Sequence, residues 1–424
     1  MTVLPPRRTR SSSLRAVAIG ALLALGSTLL VASPAAADSI RDRQYWLDSY
    51  GVTQAWATTR GAGVTVAVID TGVDGSHPDL VGAVVGGTDV SGVGSSDGQT
   101  PVGRTSKEHG TMVASLLAGR GHGGDAGVIG VAPEARLLSV SVGFGVGDVS
   151  SDDQIAEAVR WSVDNGADVI NMSLTRNTLE WPESWDDAFL YAMQNDVVIV
   201  AAAGNRGSGT TQVGAPATMP GVLTVAGVDR QGGASFDASS QGITIAVAAP
   251  SEELVGATPG DGYSTWGGTS GAAPLVAGLV ALVRSAHPEL DAGNVINRIT
   301  ATAREVGDDS LSPIYGHGLI DAAAAVTGSV ASVDADPADE LTEWIRLYRR
   351  ADAPPLPTPT PVIPSPTPIQ ETAAGPQSPL GSVLPSIAQL RDVGVPLLIF
   401  TLFGLLFVAM AGAALRQFWR TRGR

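Results

Sequence analysis

The chain has no cysteine, which removes disulfides, thiolate nucleophiles and cysteine-ligated zinc from consideration. Cations are scarce: 26 Lys and Arg stand against 41 Asp and Glu, a net charge of −15. A nucleic-acid partner wants a basic footprint, so that class is excluded. There are 5 histidines, and His77, His122, His287 and His317 show no metal-ligand spacing. Aromatics make up only 5% of the 424 residues, while 44% are hydrophobic. That composition supports one large domain with appendages, or two compact ones.

The two ends carry membrane-related signals. Arg7, Arg8, Arg10 and Arg15 precede an apolar stretch over 16–32 and then Ala35-Ala36-Ala37. This is the layout of a signal peptide over 1–37, cleaved after Ala37. Residues 393–415 hold no charge and are long enough to cross a bilayer as a helix. Arg416, Arg420, Arg422 and Arg424 follow, which places the tail (416–424) on the cytoplasmic side. A Pro-rich linker occupies 352–392. In an extended polyproline form, at ~3.1 Å per residue, it would reach on the order of 100 Å. Leu341, Trp344, Ile345 and Tyr348 predict an amphipathic helical extension within 331–351, packed on the domain.

Between these ends, 38–330 reads as a globular domain. Apolar runs at 64–69, 136–142, 169–174, 197–203, 222–228 and 243–248 predict strands. Helices are predicted at 152–165, 185–195, 270–286 and 291–303, and after His109. This alternation argues for an α/β fold with a mainly parallel central sheet flanked by helices in three layers.

Gly268-Thr269-Ser270-Gly271-Ala272 opens the most apolar of these helices. Taken alone, Ser270 is most simply an N-cap. It is a nucleophile only if a base and an orienting acid stand elsewhere. Asp70 ends the first strand and His109 begins a helix, each among small residues. An imidazole can take the serine proton, and a carboxylate can fix the imidazole's tautomer. Asn205, at a strand end, taken alone reads as a turn residue, but it can supply an amide to the oxyanion, and the Ser270 N–H can supply a second donor. An α/β-hydrolase elbow is excluded, because G-x-S-x-G needs glycine where Ala272 stands and the acid and histidine there follow the serine.

The segments VAVIDTGVDGSHPDL (66–80), HGTMVASLLAG (109–119), VINMSL (169–174), AAAGN (201–205) and GTSGAAPLVAG (268–278) resemble the subtilase family of serine peptidases. The chain order Asp, His, Ser is that of subtilisin. The resemblance implies a subtilisin-like fold, with Asp70, His109 and Ser270 as the triad and Asn205 as oxyanion donor. It also implies that Ser173, Leu174 and Thr175 pair with substrate. Ala202, Ala203, Gly204 and Gly214 would wall the primary specificity pocket, open enough for larger apolar residues. No cofactor is needed for such catalysis. Many subtilases hold structural calcium, and Asp79 with the loop 97–108 offers oxygen ligands, although no EF-hand-like pattern assigns one.

With its signal peptide, Pro-rich linker, single span and Arg tail, the chain looks most like the mycosins, the membrane-anchored proteases of type VII secretion. That resemblance implies a protein or peptide substrate, a cell-membrane location with the catalytic domain outside, and secretion-complex membrane proteins as partners. The alternative is a non-catalytic scaffold stabilising such a complex. The chain departs from the family pattern in having no cysteine, Gly271 where a larger residue usually follows the serine, and Thr175 where many relatives have glycine. The short lead-in after Ala37 leaves no room for the family's usual inhibitory prodomain.

Overall fold

The computed structural model describes residues 40–349, apart from 124, 210 and 308–310. The expected signal peptide, linker, membrane span and tail lie outside the described residues.

The lead-in forms two single-turn helices, α1 (Trp46–Ser49) and α2 (Val52–Ala55). Trp46, Leu47, Tyr50 and Val52 are buried, so the segment belongs to the core. β1 (Thr65–Asp70) follows and is buried at every position, as its unbroken apolar run requires of a strand covered on both faces. Next come β2 (Val84–Asp89), α3 (His109–Ala118), β3 (Arg120–His122), β4 (Ala126–Ile129) and β5 (Arg136–Ser141). The chain continues through α4 (Ser151–Asp164), β6 (Val169–Met172), α5 (Glu183–Gln194), β7 (Val198–Ala202), β8 (Leu223–Val228) and β9 (Ile245–Pro250). A hairpin, β10 (Leu254–Thr258) and β11 (Gly262–Trp266), precedes α6 (Thr269–Ala286), α7 (Ala292–Ala301), α8 (Ala322–Thr327) and α9 (Pro337–Tyr348).

Seven strands form one sheet in the order β2-β5-β1-β6-β7-β8-β9, with every neighbouring pair parallel. β1 lies between β5 and β6, so the winding reverses direction there. Open α/β sheets leave a crevice at such a switch point, beyond the carboxyl ends of the strands. Asp70 and Ser173 fall at that end. Helices α3 and α6 pack together on one face, and α4 and α5 pack together on the other. This is the three-layer arrangement expected from the sequence.

Helix α6 is long and apolar enough to cross a membrane, but 78% of its apolar window is buried. It is the core helix of the domain, packed on β6, β7, β8 and β9. The extension α9 folds back onto α5. Trp344 stacks on Trp181 at 4.3 Å, and Arg349 Nε donates to Asp186 at 2.8 Å.

The structure adds strands that the sequence pattern hides. β2 contains Gly86-Gly87 and sits at the sheet edge, half exposed, so it carries no buried apolar run. The two hairpins are too short for periodicity to mark them.

Candidate active site

The sheet's polarity delivers Asp70 to the crevice. The residue is 1% exposed, and its Oδ1 accepts the Thr71 N–H at 2.7 Å. His109 opens α3 opposite it. His109 Nδ1 lies 2.8 Å from Oδ1 and 2.9 Å from Oδ2, so the N–H is forked across the carboxylate. Thr71 fixes the helix start: its hydroxyl donates to the Lys107 carbonyl and accepts the Gly110 N–H, each at 3.0 Å. Burial pulls the His109 pKa down. The Asp70 charge and hydrogen bond, aided by Glu108, outweigh it and leave the group above its ordinary value. Nε2 has no protein partner among the described residues.

Ser270 is not an N-cap. The cap position belongs to Gly268, whose φ of +130° a side chain rarely adopts. Ser270 is the second helical residue, so its N–H has no carbonyl one turn back and points free. Its hydroxyl donates to the Ser173 carbonyl at 3.1 Å, and the Ser173 hydroxyl donates to the Ser270 carbonyl at 2.8 Å. That carbonyl is available because Pro274, four residues on, has no N–H to offer it. The Ser270 hydroxyl is therefore held on Ser173.

Asn205 lies beside the same helix start. Its Oδ1 accepts the Thr269 N–H at 2.8 Å and the Thr269 hydroxyl at 2.9 Å. The Thr269 hydroxyl also accepts the Gly204 N–H at 3.0 Å. Its oxygen held twice fixes the orientation of the Asn205 amide at the start of α6. Thr71 and Thr269 escape the sequence reading. Their only signal is a hydroxyl next to Asp70 and to Ser270, where no periodicity singles it out.

The residues expected to contact substrate gather at the same end of the sheet. Past β6 and β7 the chains diverge as 173–178 and 203–205, and residues 213–215 enter between them. The Gly214 N–H donates to the Ala203 carbonyl at 3.4 Å. The Arg176 N–H donates to the Ala215 carbonyl at 2.7 Å, and the Ala215 N–H to the Thr178 carbonyl at 2.9 Å. A side chain on Gly214 would collide with the Arg176 carbonyl and approach Thr175 Oγ1 to 2.6 Å. Ala202 and Ala203 are wholly buried, and Gly204 is buried beside them. The Arg176 carbonyl and Thr175 Oγ1 thus close the space on one side of Gly214. Farther along, Leu174, Thr175, Phe144 and Ile155 line a cavity of about 330 Å³.

Asp79 is also spoken for. Its carboxylate accepts from His122 Nδ1 at 2.6 Å, the Val128 N–H at 2.8 Å and the Tyr263 hydroxyl at 2.9 Å. In the loop, Asp97 accepts from Ser95 and the Gln99 N–H. No group of three or more His, Asp or Glu side chains is arranged to hold a metal among the described residues.

Known proteins resemble this chain in sequence and fold. Residues 61–318 match the model of the Subtilase family. Subtilisin DY of Bacillus licheniformis is 39% identical over 275 residues, covering 63% of this chain and 92% of its own. Fervidolysin of Fervidobacterium pennivorans is 33% identical over 322 residues, which are 69% of this chain but only 44% of fervidolysin's length. Among solved structures, MycP1 of Mycobacterium smegmatis superposes with a TM-score of 0.58 at 30% identity, over 70% of this chain and 88% of that one. The MycP3 protease of the type VII (ESX-3) secretion system does so with a TM-score of 0.56 at 33% identity, over 71% and 91%. The matched segment spans the strands and helices that carry Asp70, His109, Asn205 and Ser270, and by that match the chain belongs to the subtilase family of subtilisin-like serine proteases.

Proposed function

We propose that the chain is a membrane-tethered, extracytoplasmic serine endopeptidase serving a type VII secretion system. Ser270 Oγ attacks the scissile carbonyl as its proton passes to His109 Nε2. Asp70 holds the imidazole in the right tautomer and stabilises the imidazolium. Asn205 Nδ2 and the Ser270 N–H receive the oxyanion. His109 gives its proton to the leaving amine, and water then cleaves the acyl-enzyme by the same route. The observation that carries this reading is the fork of His109 Nδ1 across Asp70 at the strand ends where Ser270 begins its helix. A fluorophosphonate probe tests it. Labelling of the wild type and not of Ser270→Ala supports the enzyme, whereas a folded wild type that takes no label sinks it.

The substrate lies along 173–175, with the side chain before the cut in the slot floored by Gly214. That slot takes small side chains. In a peptide panel, Ala before the cut outpaces Phe, and the reverse order would discard this assignment.

The segmentation belongs to the same proposal: signal peptide 1–37, catalytic domain 38–330, helical extension 331–351, linker 352–392, span 393–415 and tail 416–424. The likeness to MycP1 and MycP3, proteases of the ESX-1 and ESX-3 type VII secretion systems, supports the secretion role. Catalysis by side chains alone needs no cofactor, and a structural calcium ion is assigned to no residue.

A scaffold role is the second reading, favoured by the Ser270 hydroxyl being held on Ser173. A Ser270→Ala strain that assembles the complex and secretes normally would establish that reading.

A further inference from the structure

One side chain near the crevice has no role in the triad, yet it meets His109 and the residue that follows Ser270. Trp266 ends β11, directly opposite Leu254 of β10 in the hairpin register. Its ring meets the His109 imidazole edge to face, with centroids 5.6 Å apart and planes at 75°. On the other side it reaches the start of α6. A Cβ on Gly271 would stand 3.5 Å from Cη2 and Cζ2 of Trp266 and would collide with Leu254 Cδ1. A third face lies over Gly256, where a Cβ would be 3.0 Å from the indole Nε1 and 3.0 Å from Met112 Cβ of α3.

The hairpin that carries Trp266 is pinned to the domain. The Ala257 N–H donates to the Ser115 hydroxyl of α3 at 3.0 Å, and Tyr263 donates to Asp79 at 2.9 Å. Arg43 of the lead-in reaches Thr265. The indole is thus held between the helix that begins with His109 and the helix that carries Ser270. Its own N–H is buried with no partner among the described residues. Hydrogen bonding therefore does not account for a tryptophan here, and the contacts of its ring do.

We propose that Trp266 is a positioning residue for His109, and that residue 271 is glycine because the indole and Leu254 occupy the room a side chain would need. The inference rests on His109 acting as the base. Asp70 fixes one edge of the imidazole, and Trp266 walls it on another side. With both in place the ring cannot swing, and Nε2 stays aimed at the serine. Gly271 and Trp266 are then one device: a side chain at 271 would displace Leu254 Cδ1 and, if as long as methionine, would compete with the indole for the same room.

The full-length protein carries the test, with Trp266→Ala, Trp266→Phe, Gly271→Met and the double variant Gly271→Met/Trp266→Ala. Trp266→Ala should lower kcat about 10- to 100-fold, the scale of a misaligned catalytic group, and leave KM within about twofold. Trp266→Phe keeps a ring and should recover most of that loss. The double variant should be no slower than Trp266→Ala alone, because the new side chain fills the vacated room. Unchanged kcat in Trp266→Ala, equal losses in Phe and Ala, or multiplicative losses in the double variant would overturn the proposal. If Trp266→Ala does not fold, Trp266→Leu fills the volume without a ring and takes its place.

A readout without substrate separates this from failure of the peptidase reading. The low-field proton resonance of the Asp70–His109 hydrogen bond should persist in wild type and Trp266→Phe and be lost to solvent exchange in Trp266→Ala. The same signal in all three overturns the role of Trp266, whether or not the protein cleaves peptides.

Discussion

At the residue scale, His109 gives predictions of opposite sign for stability and activity. Its folded pKa stands above the ordinary value, so the folded state binds that proton more tightly than the unfolded chain. The Asp70 pairing therefore adds stability that is complete below about pH 6.5, the unfolded value, and is lost as pH rises through the folded value. The Tm gap between wild type and Asp70→Asn should be widest near pH 5.5 and should narrow toward pH 9. A gap that widens with pH contradicts the pairing. Activity runs the other way, since a base must be neutral, and kcat/KM should climb with pH through the same raised value. Asn205 makes a second case. Asn205→Ala removes an oxyanion donor, which should cost about 10²–10³ in kcat, the loss known for this donor in subtilisin. It also strands the buried Thr269 N–H and hydroxyl, so Tm should fall alongside kcat, with KM little changed. An Asn205→Ala enzyme within tenfold of wild type would remove Asn205 from the site.

Asp70, His109, Asn205 and Ser270 were legible in the sequence because each sits at the end of an element among small residues, in a telling order. Trp266 was not legible. Its place beside His109 depends on a five-residue hairpin, on the Leu254 register and on the docking of both against α3. Periodicity reports none of these.

At the scale of elements, the start of α6 is the informative one. Its apolar run and opening glycines were readable, and so was the parallel sheet, because strands covered on both faces have uninterrupted apolar sequences. The reciprocal link between Ser173 and Ser270 was not, because it joins two strand and helix ends 97 residues apart. It has a testable logic. Pro274 removes the helical donor to the Ser270 carbonyl, and the Ser173 hydroxyl replaces it. Ser173→Ala should leave that carbonyl unpaired and cost about 1–3 kcal/mol of stability. Pro274→Ala restores a backbone N–H one turn on, so the double variant should recover much of the loss. Strict additivity of the two changes, measured by denaturant unfolding, would show that the carbonyl finds another partner.

At the scale of the whole molecule, the chain combines a packed protease domain with segments that fold reasoning cannot place. Two apolar stretches illustrate how context decides. The helix Thr269–Ala286 satisfies length and hydropathy for a membrane span, yet it is buried against four strands and belongs to the core. Residues 393–415 satisfy the same test with no charge and are followed at once by Arg416, Arg420, Arg422 and Arg424. The proposed span rests on those arginines, because positive charge just past an apolar stretch orients a stop-transfer segment. The Pro-rich linker before it cannot build a core, which fits a spacer between the catalytic domain and the bilayer. Deleting 393–424 should move the protein from the membrane fraction to the medium and leave kcat/KM on a soluble peptide within about twofold, since every residue proposed for catalysis lies between Asp70 and Ser270. Retention of the truncated protein in carbonate-washed membranes would place the anchor elsewhere in the chain. Loss of activity on release would tie the tail to catalysis rather than to location.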